Sequence, residues 1–197
     1  MSTSVATAPR DSRRLARAAQ IFVALFALLD PLRPTLLTGA EQGERGDLYV
    51  RYLQISTTVG LVAIIVFVLW FRRCRHNAEL LSPGSFTYSP GWAVGAWFTP
   101  VLMFWRPRRI ALDIHRVLTH GSAPDNTVTL INAWWAAWIG HTAAGLLATS
   151  ADNTASLPLS ITAQALYPIA AVLVIVVIQR FTTAQTHPQP HKPSAPA

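Results

Sequence analysis

The feature that most limits what this chain can fold into is a set of long apolar runs. Residues 53–71 form a run of 19 residues in which no side chain is charged. A helix of about 20 apolar residues crosses the hydrocarbon core of a bilayer, and it satisfies its backbone polar groups internally, as that environment requires. The charged fraction of the chain, 13%, is about half the usual value for a soluble domain. The sequence therefore predicts an all-α membrane protein with four transmembrane helices, at about 15–37, 53–71, 130–149 and 161–181.

The segments around these runs complete a single-domain organisation. Residues 12–181 are predicted to form one helical membrane domain, because a chain of 197 residues suits one domain. Residues 1–11 and 182–197 are predicted to be disordered tails. The first apolar run follows several arginines, as in a signal peptide, but residues 30–34 (Asp-Pro-Leu-Arg-Pro) do not form a small-residue cleavage site. We therefore expect an uncleaved first span that kinks or ends at Pro31.

The run 92–105 is too short to be a fifth span of the ordinary kind. As a helix it reaches only about 21 Å, and runs of this length are more often re-entrant, interfacial or buried. Pro100 removes a backbone donor and favours a bend. Trp92, Trp97 and Trp105 suit the headgroup level, where one ring edge is wet. A short spanning helix completed by its neighbours is the alternative.

The distribution of basic residues separates these two topologies. If 92–105 does not cross, thirteen of the sixteen Lys and Arg residues lie on the same side of the membrane as the N-terminus, and three lie on the other side. If it crosses, the two counts become seven and nine. Cytoplasmic loops carry the excess of basic residues. We therefore predict that 92–105 is a re-entrant or interfacial helical segment and that both termini are cytoplasmic.

Residues 107–120 have the pattern of an amphipathic helix on the cytoplasmic side. The apolar residues Ile110, Ile114, Val117 and Leu118 recur at helical spacing, and charged residues fall between them. On the charged face, Arg109 is expected to pair with the Asp four positions later. Such a helix beside membrane spans is typical of one that lies in the interface. A cytoplasmic helix packed on the bundle is the alternative.

A specific motif runs through the centre of the chain. Its residues are Trp70, Arg73, Asn77, Ser89, Pro90, Trp92, Ala93, Val94, Trp97, Phe98, Pro100, Trp105, Arg106, Pro107, Trp134 and Trp135. They resemble the W-x-x-R-x-x-x-N, S-P-x-W-A-V-x-W-W-F-x-P-x-x-N-x-W-R-P and W-W signature of a family of uncharacterised integral membrane proteins from high-GC Gram-positive bacteria, the domain of unknown function four-three-two-eight. Ala96 and Met103 stand where that signature has Trp and Asn. The resemblance implies a bacterial plasma-membrane protein, and it brings no known activity.

Few side chains outside the motif are candidates for chemistry. His141 lies inside a predicted span, where an ionisable group is a functional hypothesis, and a neutral histidine bonded to a neighbouring helix is the alternative. Asp113 and His115 are two residues apart, one residue short of the spacing that brings side chains to a common helical face, so a metal site is not expected. Cys74, the only cysteine, is expected to be a free thiol. We predict no catalytic residue, no cofactor and no bound metal.

The function that the sequence favours is binding of a lipid or a partner by a non-enzymatic membrane protein. Arg106, Arg108 and Arg109 follow Trp105 directly, and guanidinium groups bind phosphate bidentately. Anionic headgroups are therefore the expected ligand, and a protein partner or a homo-oligomer is the alternative. Nucleic acid is not expected, because the arginines flank apolar runs instead of forming a stripe.

Other interpretations of the same residues stay open at this point. The arginines can serve orientation alone, or Arg106 can cap carbonyls freed by Pro100 and Pro107. A small transporter or channel subunit is a second function, and a membrane-embedded lipid-modifying enzyme is a third.

Overall fold

The computed structural model describes residues 11–41, 43, 46–119, 125–150 and 153–186. All regular elements in this part of the chain are helical, so the predicted all-α fold is confirmed there. Residues 1–10 and 187–197 of the predicted tails, and also His120, lie outside the described residues. Residues 182–186, predicted as the start of the disordered C-terminal tail, are helical instead. The helices are α1 (Arg13–Leu29), α2 (Leu32–Glu41), α3 (Gly46–Leu81), α4 (Trp92–Phe98), α5 (Arg106–Leu118), α6 (Thr127–Ser150) and α7 (Asn153–Thr186), with a single 3-10 turn at Leu102–Phe104 between α4 and α5.

Two or three helices are long and apolar enough to cross a membrane. The first is α3, with 36 residues, and the second is the segment Ala155–Thr186 of α7, with 32 residues. The third candidate is the pair Arg13–Leu29 and Leu32–Gly39, which is bent by 42° at the break between α1 and α2. The predicted kink or end of the first span therefore lies beside Pro31, which follows the last residues of α1.

Two helices are longer than the predicted spans. The second span, predicted at 53–71, continues as helix to Leu81, well past its cluster of arginines. The last, predicted at 161–181, begins at Asn153 and contains both Pro158 and Pro168. Charge marks where a helix leaves the hydrocarbon core but does not end the helix, because the backbone bonds continue as well in water as in lipid. Residues 79–81 and 153–158, which lie outside the predicted spans and would otherwise be loops, are therefore helical.

Side-chain hydrogen bonds bring four helix ends together. Ser12, before α1, donates to Gln185 near the end of α7, at 3.1 Å. Asn77, near the end of α3, donates to the same Gln185 oxygen at 3.1 Å. Arg180 on α7 donates to the hydroxyl of Thr127, the first residue of α6, at 3.3 Å. We call this end of the bundle, where α1 and α6 begin and α3 and α7 end, the basic end.

This arrangement fixes the course of the motif. The chain leaves α3 at the basic end and enters α6 at the same end. Residues 82–126, which contain the motif and α5, therefore return to the end from which they started. The helices themselves pack closely: a Cβ at Gly60 of α3 would lie 3.0 Å from the ring of Phe26 on α1, and one at Gly140 of α6 would lie 2.9 Å from Leu166 on α7.

Candidate functional site

The motif segment folds as a short helix followed by a reversal. The carbonyls of Ser89 and Pro90 accept hydrogen bonds from the backbone N–H groups of Trp92 and Ala93, which starts α4. The helix ends after seven residues, and Pro100 lies just beyond it, as the sequence predicts. Val101 then has a φ of 69°, a left-handed conformation that is costly for a β-branched residue. The run 92–105 is therefore bent into two short helical pieces and is not one continuous helix.

Trp97 anchors α4 to the bundle through an aromatic cluster. Its ring centroid lies 5.2 Å from that of Phe67 and 5.7 Å from that of Phe71, both on α3. It also lies 6.0 Å from Trp135 on α6. Its indole Nε1 is buried and has no hydrogen-bond partner among the described residues. Trp97 is half-buried, and its polar ring edge is turned inward among five aromatic neighbours, which the sequence did not indicate. The cluster comprises Phe67, Phe71, Trp97, Trp134, Trp135 and Trp138.

Trp105 and Phe98, and in part Trp92, are exposed at the surface of the motif. Trp92 is half-buried, and Trp105 is 41% exposed. Phe98 is 65% exposed, and Pro100, two residues later, is exposed as well. These side chains form the outer surface of the motif.

Arg75 fastens the loop that precedes α4 to α3. Its guanidinium pairs with Glu79 one turn later and donates from Nη2 to the carbonyl of Tyr88 at 3.0 Å. Its Cζ also lies 3.4 Å from the centroid of the Phe86 ring. Only 3% of the Arg75 side chain is exposed. Arg75 is thus a structural residue that positions the motif.

The three arginines after Trp105 diverge to separate partners. Arg106 lies over the ring of Trp92 at 3.8 Å, a cation–π geometry. Its Nη1 is buried and has no hydrogen-bond partner in the described part of the chain, so the interpretation that it caps carbonyls freed by Pro100 and Pro107 is wrong. Arg108 donates to Asn132 of α6 at 2.9 Å. Arg109 lies 3.4 Å from the hydroxyl of Tyr88, so the three groups do not converge on one phosphate.

The apolar face of α5 packs on the bundle. Ile110 and Ile114 are 2% and 0% exposed, and Pro107 at the helix start is buried. Asp113, expected to pair with Arg109, instead pairs with Arg116 at 3.1 Å. Burial raises the pKa of Asp113, although the nearby Arg116 opposes that rise. The charged face of this helix is therefore partly buried against its neighbours, which the sequence alone did not indicate.

A small ionic group ties the entry of α6 to α5 and α7. His115 Nε2 lies 3.3 Å from Asp125, whose other oxygen accepts a 2.6 Å hydrogen bond from Thr127. Burial lowers the pKa of His115, and the charge of Asp125 only partly offsets this. Burial alone would raise the pKa of Asp125, but the hydrogen bonds from Thr127 and the nearby charges outweigh it, and that pKa is lowered. No group of metal-ligating side chains forms among the residues that the structure describes.

A cleft at the basic end brings together α1, α3 and the start of the motif. It has a volume of about 720 Å³. Arg72 and His76 are exposed at its wall, and Arg73 is half-buried. Neither Arg72 nor Arg73 donates a hydrogen bond or forms an ion pair with any described residue. We call this the basic cleft; its lining residues are Leu15, Leu69, Arg72, Arg73, Arg75, His76, Pro90, Gly91 and Val94.

The comparison with protein families identifies the chain. The family model described as a domain of unknown function (DUF4328) matches residues 36–183, which is most of the sequence. The chain belongs to the DUF4328 family. No curated protein and no solved structure matches it. The match to this family confirms the resemblance that the motif suggested. The matched region includes every residue that lines the basic cleft except Leu15.

The remaining predicted residues of this DUF4328 chain have structural partners. Trp70 is fully buried, and its Nε1 donates to the hydroxyl of Thr182 on α7 at 3.2 Å. Asn77 belongs to the hydrogen-bonded helix ends described above. His141 Nδ1 lies 2.9 Å from the carbonyl oxygen of Ala163, which is the bond to a neighbouring helix that the sequence offered as an alternative.

Sequence reasoning missed several residues of the basic cleft in this DUF4328 protein. In the sequence, Arg72 is one of several basic residues that set orientation, His76 is the histidine that follows them, and Leu15 is part of a predicted span. The spacing of Arg75 and Glu79, i and i+4 on one helix, was the available signal that α3 continues through this cluster. No sequence signal shows that α1 and the start of α4 lie against it.

Proposed function

We propose that this protein is a non-enzymatic integral membrane protein that binds an anionic, phosphate-bearing lipid in the basic cleft. The observation that supports this most directly is the pair of arginines, Arg72 and Arg73, which line the cleft and have no partner among the described residues. This proposal moves the phosphate contact from Arg106, Arg108 and Arg109, which have other partners, to the end of α3.

The chemistry of the cleft suits an amphiphile. A guanidinium group binds a phosphate through two parallel hydrogen bonds, and His76 offers a further ring nitrogen at the same wall. Leu15, Leu69 and Val94 line the cleft beside these polar groups and offer apolar surface for an acyl chain. Guanidinium groups stay protonated in proteins and so cannot act as general bases, which makes them suited to binding and not to proton transfer.

We infer that four helices cross the membrane, which would put this cleft at a membrane surface. Helix α6 has 24 residues, about 36 Å as a helix, which exceeds the roughly 30 Å of a hydrocarbon core. It runs antiparallel to α7, because its first residue lies beside Arg180 and its middle bonds to Ala163. If α7 crosses a bilayer, α6 therefore crosses with it, and α1 with α2, α3, α6 and α7 make four crossings.

The basic end then lies on the cytoplasmic side of a bacterial plasma membrane. The motif returns to the end from which it starts, so thirteen of the sixteen basic residues lie on one side. Cytoplasmic leaflets that are rich in anionic lipid attract each nearby basic residue by about 1 kcal/mol. The cleft and its ligand therefore lie on the same side of the membrane.

Replacing Arg72 and Arg73 together with glutamine is expected to weaken binding of anionic lipid at least about tenfold, because two charge-assisted contacts are lost. The measurement is native mass spectrometry of the purified full chain titrated with phosphatidylglycerol, with phosphatidylcholine, a zwitterion with a phosphate but no net charge, as the reference. The wild type should retain phosphatidylglycerol preferentially, and the double variant should not.

The control is Arg13→Gln together with Arg14→Gln, which removes two exposed arginines from the start of α1 at the same end. It should keep the preference for phosphatidylglycerol. Equal losses in both double variants would mean that general surface charge, and not the cleft, attracts the lipid. An unchanged preference in the Arg72 and Arg73 variant would also contradict the proposal.

A further inference from the structure

A second cavity lies at the opposite end of the bundle from the basic cleft. It has a volume of about 350 Å³, and it opens where α1 bends into α2. Helices α6 and α7 form its other walls. Small residues leave the space: Gly145 and Ala148 on α6 and Ala163 on α7 line it. We call this the hinge cavity.

The hinge cavity presents charges of both signs. Asp30 and Arg33 both line it, one on each side of the break between the two helices. No ion pair links Asp30 to Arg33, and neither side chain forms a hydrogen bond with any residue in the described part of the chain. Arg33 is exposed and Asp30 is half-buried, and both residues line the cavity. Opposite charges that share a cavity and do not pair with each other are available to a ligand that carries both.

The wall across the cavity adds neutral polar groups. His141 is held in place because its Nδ1 donates to the carbonyl of Ala163 at 2.9 Å. That carbonyl can only accept, so in the neutral ring the other nitrogen, Nε2, is an acceptor. It has no hydrogen-bond partner among the described residues. Ser160 and Gln164 complete the polar wall on α7.

We propose that the hinge cavity binds a small zwitterion of amino-acid size. Arg33 binds the carboxylate, since a guanidinium fork matches the two carboxylate oxygens. Asp30 binds the ammonium group, and the Nε2 acceptor of His141 and the hydroxyl of Ser160 are the neutral contacts. This site is separate from the basic cleft, because it lies at the other end of α1 and shares none of its lining residues.

The test is thermal unfolding and calorimetric titration of the purified full chain with the standard L-amino acids at millimolar concentration. Ethylamine and propionate, which carry only one charge each, serve as matched probes. At least one amino acid should stabilise the wild type, while ethylamine and propionate, alone or mixed, should not. Asp30→Asn and Arg33→Gln should each weaken that binding at least about tenfold.

Arg51→Gln is the control, since it removes an exposed charge near the start of α3, outside the cavity. It should bind as the wild type does. Arg33→Lys keeps the charge but loses the fork and should bind at an intermediate affinity. The proposal is overturned if no amino acid binds the wild type, if the single-charge probes bind equally well, or if Asp30→Asn and Arg33→Gln fold and bind without loss.

Discussion

Replacing Ile114 with aspartate is expected to lower the free energy of unfolding by about 4 kcal/mol or more. Ile114 is 0% exposed and belongs to the core cluster that α5 forms with the bundle. The change loses roughly 1.5–3 kcal/mol of apolar burial, and it also places an unpartnered carboxyl in an apolar site, which adds a similar or larger cost. Size-exclusion chromatography of the detergent-extracted protein after heating should show a fall in Tm of roughly 10 °C.

Arg116→Gln is the matched control on the same helix. The Arg116 side chain is 73% exposed, but that of its partner Asp113 is only 12% exposed, so losing the pair should lower the Tm by a few degrees, roughly 2–4 °C, and clearly less than Ile114→Asp does. If Ile114→Asp were tolerated as well as Arg116→Gln, α5 would not be packed on the bundle in the membrane.

Replacing Trp70 with alanine is expected to have an effect of similar size. Trp70 is 0% exposed, and its ring lies 6.2 Å from that of Phe181 on α7. Truncating a buried tryptophan typically costs about 3–5 kcal/mol. The hydrogen bond to Thr182 is lost as well, so the end of α7 loses two of its contacts to α3. The same heating assay should show a large fall in Tm.

Two further variants separate ring packing from the hydrogen bond. Trp70→Phe keeps much of the ring but removes the N–H donor, so it should cost clearly less than Trp70→Ala. Trp105→Ala removes an indole that is 41% exposed and should cost less than either. A larger loss for Trp105→Ala than for Trp70→Ala would mean that the motif surface, and not the contact between α3 and α7, determines stability.

The sequence predicts the parts of this fold that follow from local pattern. The uncharged run 53–71 requires a long helix, and the length of 92–105 together with Pro100 requires a break. The apolar face of 107–120 follows from helical spacing, and Ile114 is buried as that spacing predicts. Each of these conclusions depends only on residues close together in the chain.

The parts that could not be predicted depend on distant residues. Trp97 looks like an interfacial tryptophan until Phe67 and Trp135, on two other helices, are placed around it. Arg75 looks like one of several orientation signals, yet its contacts with Phe86 and Tyr88 fasten the motif loop. The side-chain partners of the basic residues therefore decide which of them remain available to a ligand.

The central claim is that the motif segment returns to the end of the bundle from which it starts, beside the basic cleft. Labelling of introduced cysteines in intact cells with a membrane-impermeant maleimide tests this most directly, since the native Cys74 is fully buried. The exposed positions Ser85→Cys before the motif and Arg116→Cys after it should both be protected, and Arg51→Cys at the opposite end should be labelled. Labelling of Arg116→Cys from outside, with Ser85→Cys still protected, would show that the motif crosses the membrane and would contradict the account.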